Sequence, residues 1–267
     1  MKHLILGSRG QVGSYVARAA LSYPGSKVIE WDILISKDHD LRVGSNKLTE
    51  AMEECDYVHF LAYNVGGSKY LASNQDSFDF IQDNIDIMGN VFSAIKHTKK
   101  PFYFASSQMS TMGHSTYGKL KAIGESYTRA LGGTVVWFWN VYGKETDLKK
   151  SHVITDFIRM AKDNGEILCR TDGTELRQFL YAGDVSNILM DLAYGHLYTQ
   201  GEDPFEITSG QWIPIKTVAE TIGEIFDVPV YFSNKKDQIQ GILNEPTTKL
   251  PFRSFTSLKS GIQLMLK

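Results

Sequence analysis

Short apolar runs alternate along the first half of the chain with longer segments whose apolar residues recur every three or four positions. The runs are typical of buried strands, and the periodic segments are typical of amphipathic helices. Their alternation predicts an α/β fold with a Rossmann-type, doubly wound parallel sheet. The predicted strands are 2–6, 27–32, 56–62, 101–105 and 134–139, and the predicted helices are 14–21, 48–55, 78–96 and 117–131.

The pattern changes after residue 143, where polar loops separate shorter elements. We predict helices at 153–164, 185–194 and 217–226, with strands at 167–169 and 204–207. We interpret 1–143 as the dinucleotide-binding domain, to which 178–196 returns. The remainder, 144–177 and 197–267, is interpreted as a small C-terminal lobe that binds the substrate.

A glycine-rich turn of the form G-x-x-G-x-x-G lies between the first strand and the first helix. Glycines permit a tight turn and a close approach of backbone to a pyrophosphate, whose charge the helix N-terminus attracts. A turn without a ligand is the alternative. The position of the motif, with a strand before it and a helix after it, favours a dinucleotide site. This site would comprise Gly7, Arg9, Gly10, Gln11, Val12 and Gly13.

Asp32 follows the second strand, at the place where a carboxylate can bind the hydroxyls of the adenosine ribose. A carboxylate there would repel a 2′-phosphate, so the predicted cofactor is NAD. NADP stays an alternative because Arg9 could pair with that phosphate. We expect Asp40 and Leu41 at the adenine pocket, and Leu61 and Ala62 where the dinucleotide crosses the third strand.

A serine and a tyrosine–lysine pair flank a short loop in the middle of the chain. Ser107 ends the fourth strand, and Tyr117 and Lys121 are neighbours on the next helix because they are four residues apart. A nearby ammonium lowers the pKa of a tyrosine from its usual value of about 10. Such a tyrosine can exchange a proton with a substrate alcohol or ketone while a nicotinamide exchanges hydride. A solvated helix face is the alternative for the pair taken alone.

Charge and cysteine content exclude several classes of protein. The formal net charge is -2 and both signs are spread along the chain, which argues against nucleic acid or an anionic membrane as a partner. Cys55 and Cys169 have no metal-type spacing and suggest no disulfide framework, so we expect no metal site. The chain shows no spanning apolar run and no secretory signal at its start, so we expect a cytoplasmic protein.

Together these motifs resemble the extended short-chain dehydrogenase/reductases, a family of nucleotide-sugar epimerases, dehydratases and reductases. The resemblance implies a bound nicotinamide, a sugar nucleotide in the C-terminal lobe, and a homodimer formed by helices 78–96 and 117–131. It implies that Ser107, Tyr117 and Lys121 form the catalytic triad. The matching residues are Gly7 to Gly13, Asp32, Leu61, Ala62, Asn84, Ser106, Ser107, Tyr117, Lys121, Asn140 to Gly143, and Arg177 to Asp184.

The same resemblance implies further contacts. Phe138 would lie beside the nicotinamide, and Asn140 and Arg177 would contact the substrate. A guanidinium suits a diphosphate, although a salt bridge between the domains is the alternative for Arg177. Parts of the chain are similar to GDP-mannose 3,5-epimerase and GDP-fucose synthase, which implies substrate contacts at Gly67 and Lys149.

The chain departs from the family pattern at functional positions. Met109 stands where both GDP-sugar enzymes carry a cysteine that transfers protons during epimerisation at C3 and C5. Gln108 and Met109 stand where 4,6-dehydratases carry acidic residues, and Trp137 occupies a position where the family often has arginine. The missing cysteine argues against epimerisation at C3 or C5. His152, Lys149 or Lys150 could substitute for it, but one face of the sugar would then still lack a proton-exchanging group.

Three functions agree with these features. The first is an NAD-dependent epimerase that acts on a nucleotide-diphosphate sugar through a transient 4-keto intermediate, which requires only the triad. The second is an NAD(P)H-dependent reductase of a 4-keto sugar nucleotide. The third is a non-catalytic regulatory protein that binds a dinucleotide, and the intact triad argues against it.

Overall fold

The computed structural model describes residues 1–197, 203–236, 245–246 and 254–267. Its strands are β1 (Lys2–Leu6), β2 (Lys27–Trp31), β3 (Tyr57–Phe60), β4 (Phe102–Ser107), β5 (Thr134–Phe138), β6 (Asn140–Tyr142), β7 (Ile167–Leu168), β8 (Leu176–Tyr181), β9 (Phe205–Ile207), β10 (Trp212–Pro214) and β11 (Val230–Tyr231). Its helices are α1 (Gly13–Ser22), α2 (Asn46–Glu54), α3 (Ser68–Asn74), α4 (Phe78–Thr98), α5 (Thr116–Ala130), α6 (Val153–Asn164), α7 (Ala182–Ala193), α8 (Ile215–Phe226) and α9 (Leu258–Met265).

A six-stranded parallel sheet in the order β2-β1-β3-β4-β5-β9 forms the centre of the molecule. Helices α2, α4 and α5 cover one face, and α1 and α7 cover the other. The order reverses on either side of β1, and such a switch point opens a crevice at the carboxyl ends of the strands. The predicted Rossmann-type fold is confirmed.

The C-terminal lobe contains two small sheets and the helices α6, α8 and α9. One sheet has the order β10-β8-β6, and the other pairs β11 with β7. Two segments lie elsewhere than predicted. Strand β9, which was assigned to the lobe, pairs with β5 and covers what would otherwise be an open sheet edge. Strand β8 pairs with β6 in the lobe, while α7 packs on α1 as expected. Parts of 197–267 lie outside the described residues.

Two local features differ from the sequence patterns. Helix α3 was not predicted, because a seven-residue helix is too short to show a clear periodicity. On α5, Leu120 and Gly124 face the core, whereas Ile123 and Tyr127 are about half exposed at 47% and 50%. The expected homodimer through α4 and α5 stays a prediction.

A buried polar chain crosses the sheet beneath α7. His3 Nδ1 lies 2.9 Å from His59 Nε2, and His59 Nδ1 lies 3.0 Å from the Tyr103 hydroxyl. Both histidines are fully buried. Burial lowers the pKa of His3 to about 4 and holds that of His59 well below its usual value. Both rings are therefore neutral in the folded protein at neutral pH.

This pair makes stability depend on pH. The pKa of each histidine is lower in the folded than in the unfolded state. The contribution of each histidine to the free energy of unfolding is therefore complete above about pH 6.5 and declines as the pH falls. We expect the free energy of unfolding, measured with urea, to drop between pH 7 and pH 5, with about 2 kcal/mol of the drop coming from His3. His3→Gln should reduce this slope, and the exposed control His97→Gln should not. An unchanged slope in His3→Gln would refute the assignment.

Candidate active site

A cavity of about 1380 Å³ lies between the carboxyl ends of the parallel strands and the C-terminal lobe. Every site residue predicted from the sequence lines it, with the exception of Lys149. Residues that are far apart in sequence meet here because the strands run in parallel and end at one edge. The predicted residues at the cavity are Gly7, Arg9, Gly10, Gln11, Val12, Gly13, Asp32, Asp40, Leu41, Leu61, Ala62, Gly67, Ser107, Tyr117, Lys121, Phe138, Asn140 and Arg177.

The glycine turn fits a dinucleotide. Gly7 has φ +86°, and a Cβ added there would lie 2.9 Å from the backbone of Ala62 at the end of β3. A Cβ on Gly13, the first residue of α1, would lie 2.0 Å from the Gly7 carbonyl oxygen. Only glycine allows this close approach, which leaves bare backbone and the N-terminus of α1 facing the cavity.

The charges near the adenosine end favour NAD. Asp32 accepts hydrogen bonds from the backbone N–H groups of Arg9 and Leu34, both at 2.9 Å. The guanidinium of Arg9 pairs with Glu30 at 3.3 Å. Two carboxylates therefore lie near the expected ribose, and the cation that could attract a 2′-phosphate is already engaged. The Asp40 carboxylate is bound by Arg42 and keeps a lowered pKa.

Packing between α5 and the loop before it brings the triad together. Ser107 ends β4 and accepts a hydrogen bond from the N–H of Met109 at 3.2 Å. A Cβ on Gly118 would lie 2.2 Å from the carbonyl oxygen of Met109, so glycine allows the helix to touch this turn. Gln75 accepts hydrogen bonds from the Tyr117 N–H at 3.2 Å and the Ser115 hydroxyl at 2.9 Å. Gln75 was missed by the sequence analysis because it follows the unpredicted helix α3.

Lys121 and Tyr117 are both buried, and this determines their electrostatics. The ammonium of Lys121 donates a hydrogen bond to the Ala105 carbonyl oxygen at 2.6 Å. Burial lowers the pKa of Lys121 well below its usual value, although the Glu125 carboxylate opposes the shift. Burial also raises the pKa of Tyr117, which the Ser107 side chain opposes. The expected lowering of the Tyr117 pKa is therefore not found, because desolvation is the larger influence and the Lys121 nitrogen lies 5.8 Å from the ring centre.

The substrate half of the cavity contains several polar groups from the lobe. Asn140 Oδ1 is buried and has no hydrogen-bond partner among the residues that the structure describes. Arg177 donates a hydrogen bond to the Leu176 carbonyl oxygen at 2.7 Å and lines the cavity. Lys149 instead borders a separate surface depression, and Lys150 faces the cavity in its place. The register of the loop decides which lysine points inward, and sequence alone did not show it.

Two further pairs were not predicted. His152 Nδ1 lies 2.6 Å from Glu145, and both residues line the cavity. Trp137 donates its indole N–H to the buried carboxylate of Glu125 at 2.7 Å. A neutral indole thus occupies the position where the resembled family often places an arginine. Met109 lines the cavity, as its position after Ser107 implied.

A scan against protein-family models matches residues 3–196 to the NAD dependent epimerase/dehydratase family. The chain belongs to this family. A curated relative from Bacillus cytotoxicus, a UDP-N-acetyl-alpha-D-glucosaminuronate decarboxylase, is 26% identical over 220 residues, which are 68% of this chain and 67% of the relative. The family is NAD-dependent, so this chain is an enzyme of the epimerase/dehydratase type and NAD is its cofactor.

Solved structures show the same fold. The UDP-glucose 4-epimerase of Thermotoga maritima has a TM-score of 0.73 and 21% identity, with coverage of 100% of this chain and 97% of its own. A GDP-6-OMe-4-keto-L-xylo-heptose reductase from C. jejuni has a TM-score of 0.78 and 18% identity, with coverage of 99% and 96%. Among the described residues, no helix has the length and apolar character needed to cross a membrane.

The carboxylates at the adenosine end generate a test of cofactor choice. We expect NADH to bind at least roughly tenfold more tightly than NADPH, because a 2′-phosphate would approach Asp32 and Glu30. The double variant Glu30→Gln, Asp32→Ala should narrow this ratio by releasing Arg9 to bind the phosphate. Calorimetric titration of both cofactors measures the ratio. Glu54→Gln, which removes an exposed partner of Lys2, is the control. Tighter binding of NADPH to the unaltered protein would contradict the assignment.

Proposed function

We propose that the protein is an NAD-dependent epimerase that inverts C4 of a nucleotide-diphosphate sugar through a transient 4-keto intermediate. The observation that carries the proposal is the meeting of Ser107, Tyr117 and Lys121 with the glycine turn in one cavity. NAD, when bound, supplies a hydride acceptor that can return the hydride to either face of the sugar carbon.

Each side chain has a separate role in the proposed reaction. Tyr117 takes the proton of the C4 hydroxyl and returns it to the ketone, while the Ser107 hydroxyl holds the same oxygen. Lys121 supplies the positive charge that favours the phenolate form of Tyr117. Asn140 and Arg177 bind the sugar and the diphosphate from the lobe side. The cavity is large enough for the sugar to turn after oxidation and present its other face.

Met109 argues against inversion at C3 or C5. Removing a proton from a carbon beside the ketone requires a base, and reprotonating the opposite face requires an acid. Met109 carries no exchangeable proton and stands at one of these places. The His152–Glu145 pair and Lys150 also line the cavity, so the proposal that inversion is confined to C4 rests on Met109.

A reductase of a 4-keto sugar nucleotide is the second candidate, because it uses the same triad and a reductase is among the proteins of like fold. The two functions differ in the cofactor. An epimerase regenerates NAD in each cycle and holds it tightly, whereas a reductase releases the oxidised cofactor. Cofactor that co-purifies in stoichiometric amount supports the epimerase. A catalytically idle binding protein would show no turnover with any of the GDP-, UDP- or dTDP-sugars.

Arg177 provides a test of the diphosphate site. Arg177→Ala should weaken sugar-nucleotide binding roughly ten- to a hundredfold, because a hydrogen bond to a charged group contributes roughly 1.5–3 kcal/mol. NAD binding should not change. Calorimetric titration with a panel of sugar nucleotides measures the effect. The control is Arg159→Ala, which removes an exposed ion-pair partner of Asp156 on α6. Unchanged substrate affinity would contradict this role and favour the alternative, in which Arg177 forms a salt bridge between the domains.

The site of inversion is tested in deuterated water. A cycle of oxidation and reduction at C4 moves only hydroxyl protons and a hydride, so we expect no solvent deuterium on any sugar carbon. Mass spectrometry and NMR of the product locate the label. Deuterium at C3 or C5 would refute inversion at C4 alone. In that case His152→Gln shows whether the His152–Glu145 pair performs the exchange.

A further inference from the structure

Tyr63 follows strand β3, and its ring contacts both Lys121 and Tyr117. Its ring centre is 3.5 Å from Nζ of Lys121. The same ring meets Tyr117 edge to face, with 6.0 Å between the ring centres. Phe104 lies behind the ammonium, with its ring centre 4.8 Å from Nζ. The charge of Lys121 is therefore placed against aromatic faces and away from water.

The position of this ring is determined by the backbone that follows it. Asn84, fully buried in α4, accepts a hydrogen bond from the Asn64 N–H at 2.8 Å and donates one to the Asn64 carbonyl oxygen at 3.0 Å. The Tyr63 hydroxyl is buried and has no hydrogen-bond partner among the described residues. The contact with Lys121 is made by the ring.

Few groups compensate the buried ammonium. Strand β4 offers the Ala105 carbonyl oxygen, and α5 offers the Glu125 carboxylate. Glu125 already accepts hydrogen bonds from Ser106 at 2.6 Å and Trp137 at 2.7 Å, and it also contacts Arg129. On the side of β3 the ring of Tyr63 faces the charge directly. A cation over an aromatic face is attracted by the ring quadrupole, and the attraction grows when water is excluded.

We propose that Tyr63 is a positioning residue whose ring holds the Lys121 ammonium charged and in place beside Tyr117. The inference rests on the role proposed above for Lys121 in proton transfer. It explains how a lysine in a dry site can retain the charge that the reaction needs. Without the ring, the lysine would lose its proton more readily, and the phenolate of Tyr117 would lose its electrostatic support.

The test measures the titration of Lys121 itself. Protein labelled with ¹³C,¹⁵N-lysine is titrated by NMR with and without NAD, and Lys121→Arg identifies the signal. Tyr63→Leu should lower the pKa of Lys121 by about 1 to 1.5 pH units. Tyr63→Phe keeps the aromatic ring, so the pKa of Lys121 should equal that of the unaltered protein. Phe226→Leu, which removes a ring 5.9 Å from Nζ of Lys162 in the lobe, is the matched control and should leave Lys121 unchanged. Circular dichroism verifies folding, and Tyr63→Met replaces Tyr63→Leu if the latter does not fold.

Turnover provides the second readout. The pH dependence of turnover is measured with an accepted sugar nucleotide. On the alkaline side, the activity of Tyr63→Leu should fall at a lower pH than that of the unaltered enzyme. The profile of Tyr63→Phe should match that of the unaltered enzyme. An unchanged pKa of Lys121 in Tyr63→Leu would overturn the inference, whatever the turnover. An equal shift in Tyr63→Phe would also overturn it, because the hydroxyl would then be the active part. If the pKa of Lys121 shifts as expected but the protein shows no epimerase activity, the proposed function is refuted and the inference about Tyr63 is supported.

Discussion

A lysine ammonium buried beside a tyrosine is the constraint on which the active site depends. Desolvation opposes the charge of Lys121 and the phenolate of Tyr117 alike, so neither group can act unless its surroundings compensate. The groups that face the Lys121 nitrogen are the Ala105 carbonyl, the Glu125 carboxylate and, in the proposal above, the Tyr63 ring. These groups belong to different elements, and they meet because α5 packs tightly on β4. The proposed catalytic pair thus depends on the packed core, although its two residues are only four positions apart in sequence.

The proposed site also requires that residues far apart in sequence meet, and the parallel sheet achieves this because its strands end at the same edge. Strand ends bring the glycine turn, Asp32, Ala62 and Ser107 to one cavity, and the lobe brings Arg177 to its opposite wall. The lobe is tied to the sheet by chain crossings in both directions. Strand β6 leaves the first domain to join the lobe sheet, and β9 returns from the lobe as the last strand of the large sheet. This exchange fixes the two walls of the cavity relative to each other.

The reaction that we propose depends on residues that differ from those of the resembled enzymes, as well as on the triad. Met109 places a thioether where proton transfer at C3 or C5 would need an exchangeable group, which favours a reaction confined to C4. Trp137 donates a neutral N–H to Glu125, and Arg129 pairs with the same carboxylate.

The sequence by itself determined the elements with strong periodicity and the residues at strand ends. Strands β1 to β5, helices α4 to α6, the glycine turn, Asp32 and the Ser107–Tyr117–Lys121 set followed from apolar patterning, glycine spacing and an i,i+4 pair, whereas Gly67, Phe138, Asn140 and Arg177 followed from the family resemblance. These signals are local, and a parallel sheet converts local strand ends into one shared edge. The short helix α3, with too few residues to show a period, was not accessible in this way.

Only the tertiary structure decided the rest. It placed Lys150 and not Lys149 at the cavity, since a loop has no periodicity that fixes its register. It also showed that burial, and not the neighbouring ammonium, dominates the pKa of Tyr117, because desolvation depends on every atom packed around a group. The contact between Tyr63 and Lys121 belongs to the same class. It joins the end of one strand to a helix far along the chain, and no spacing in the sequence records that distance.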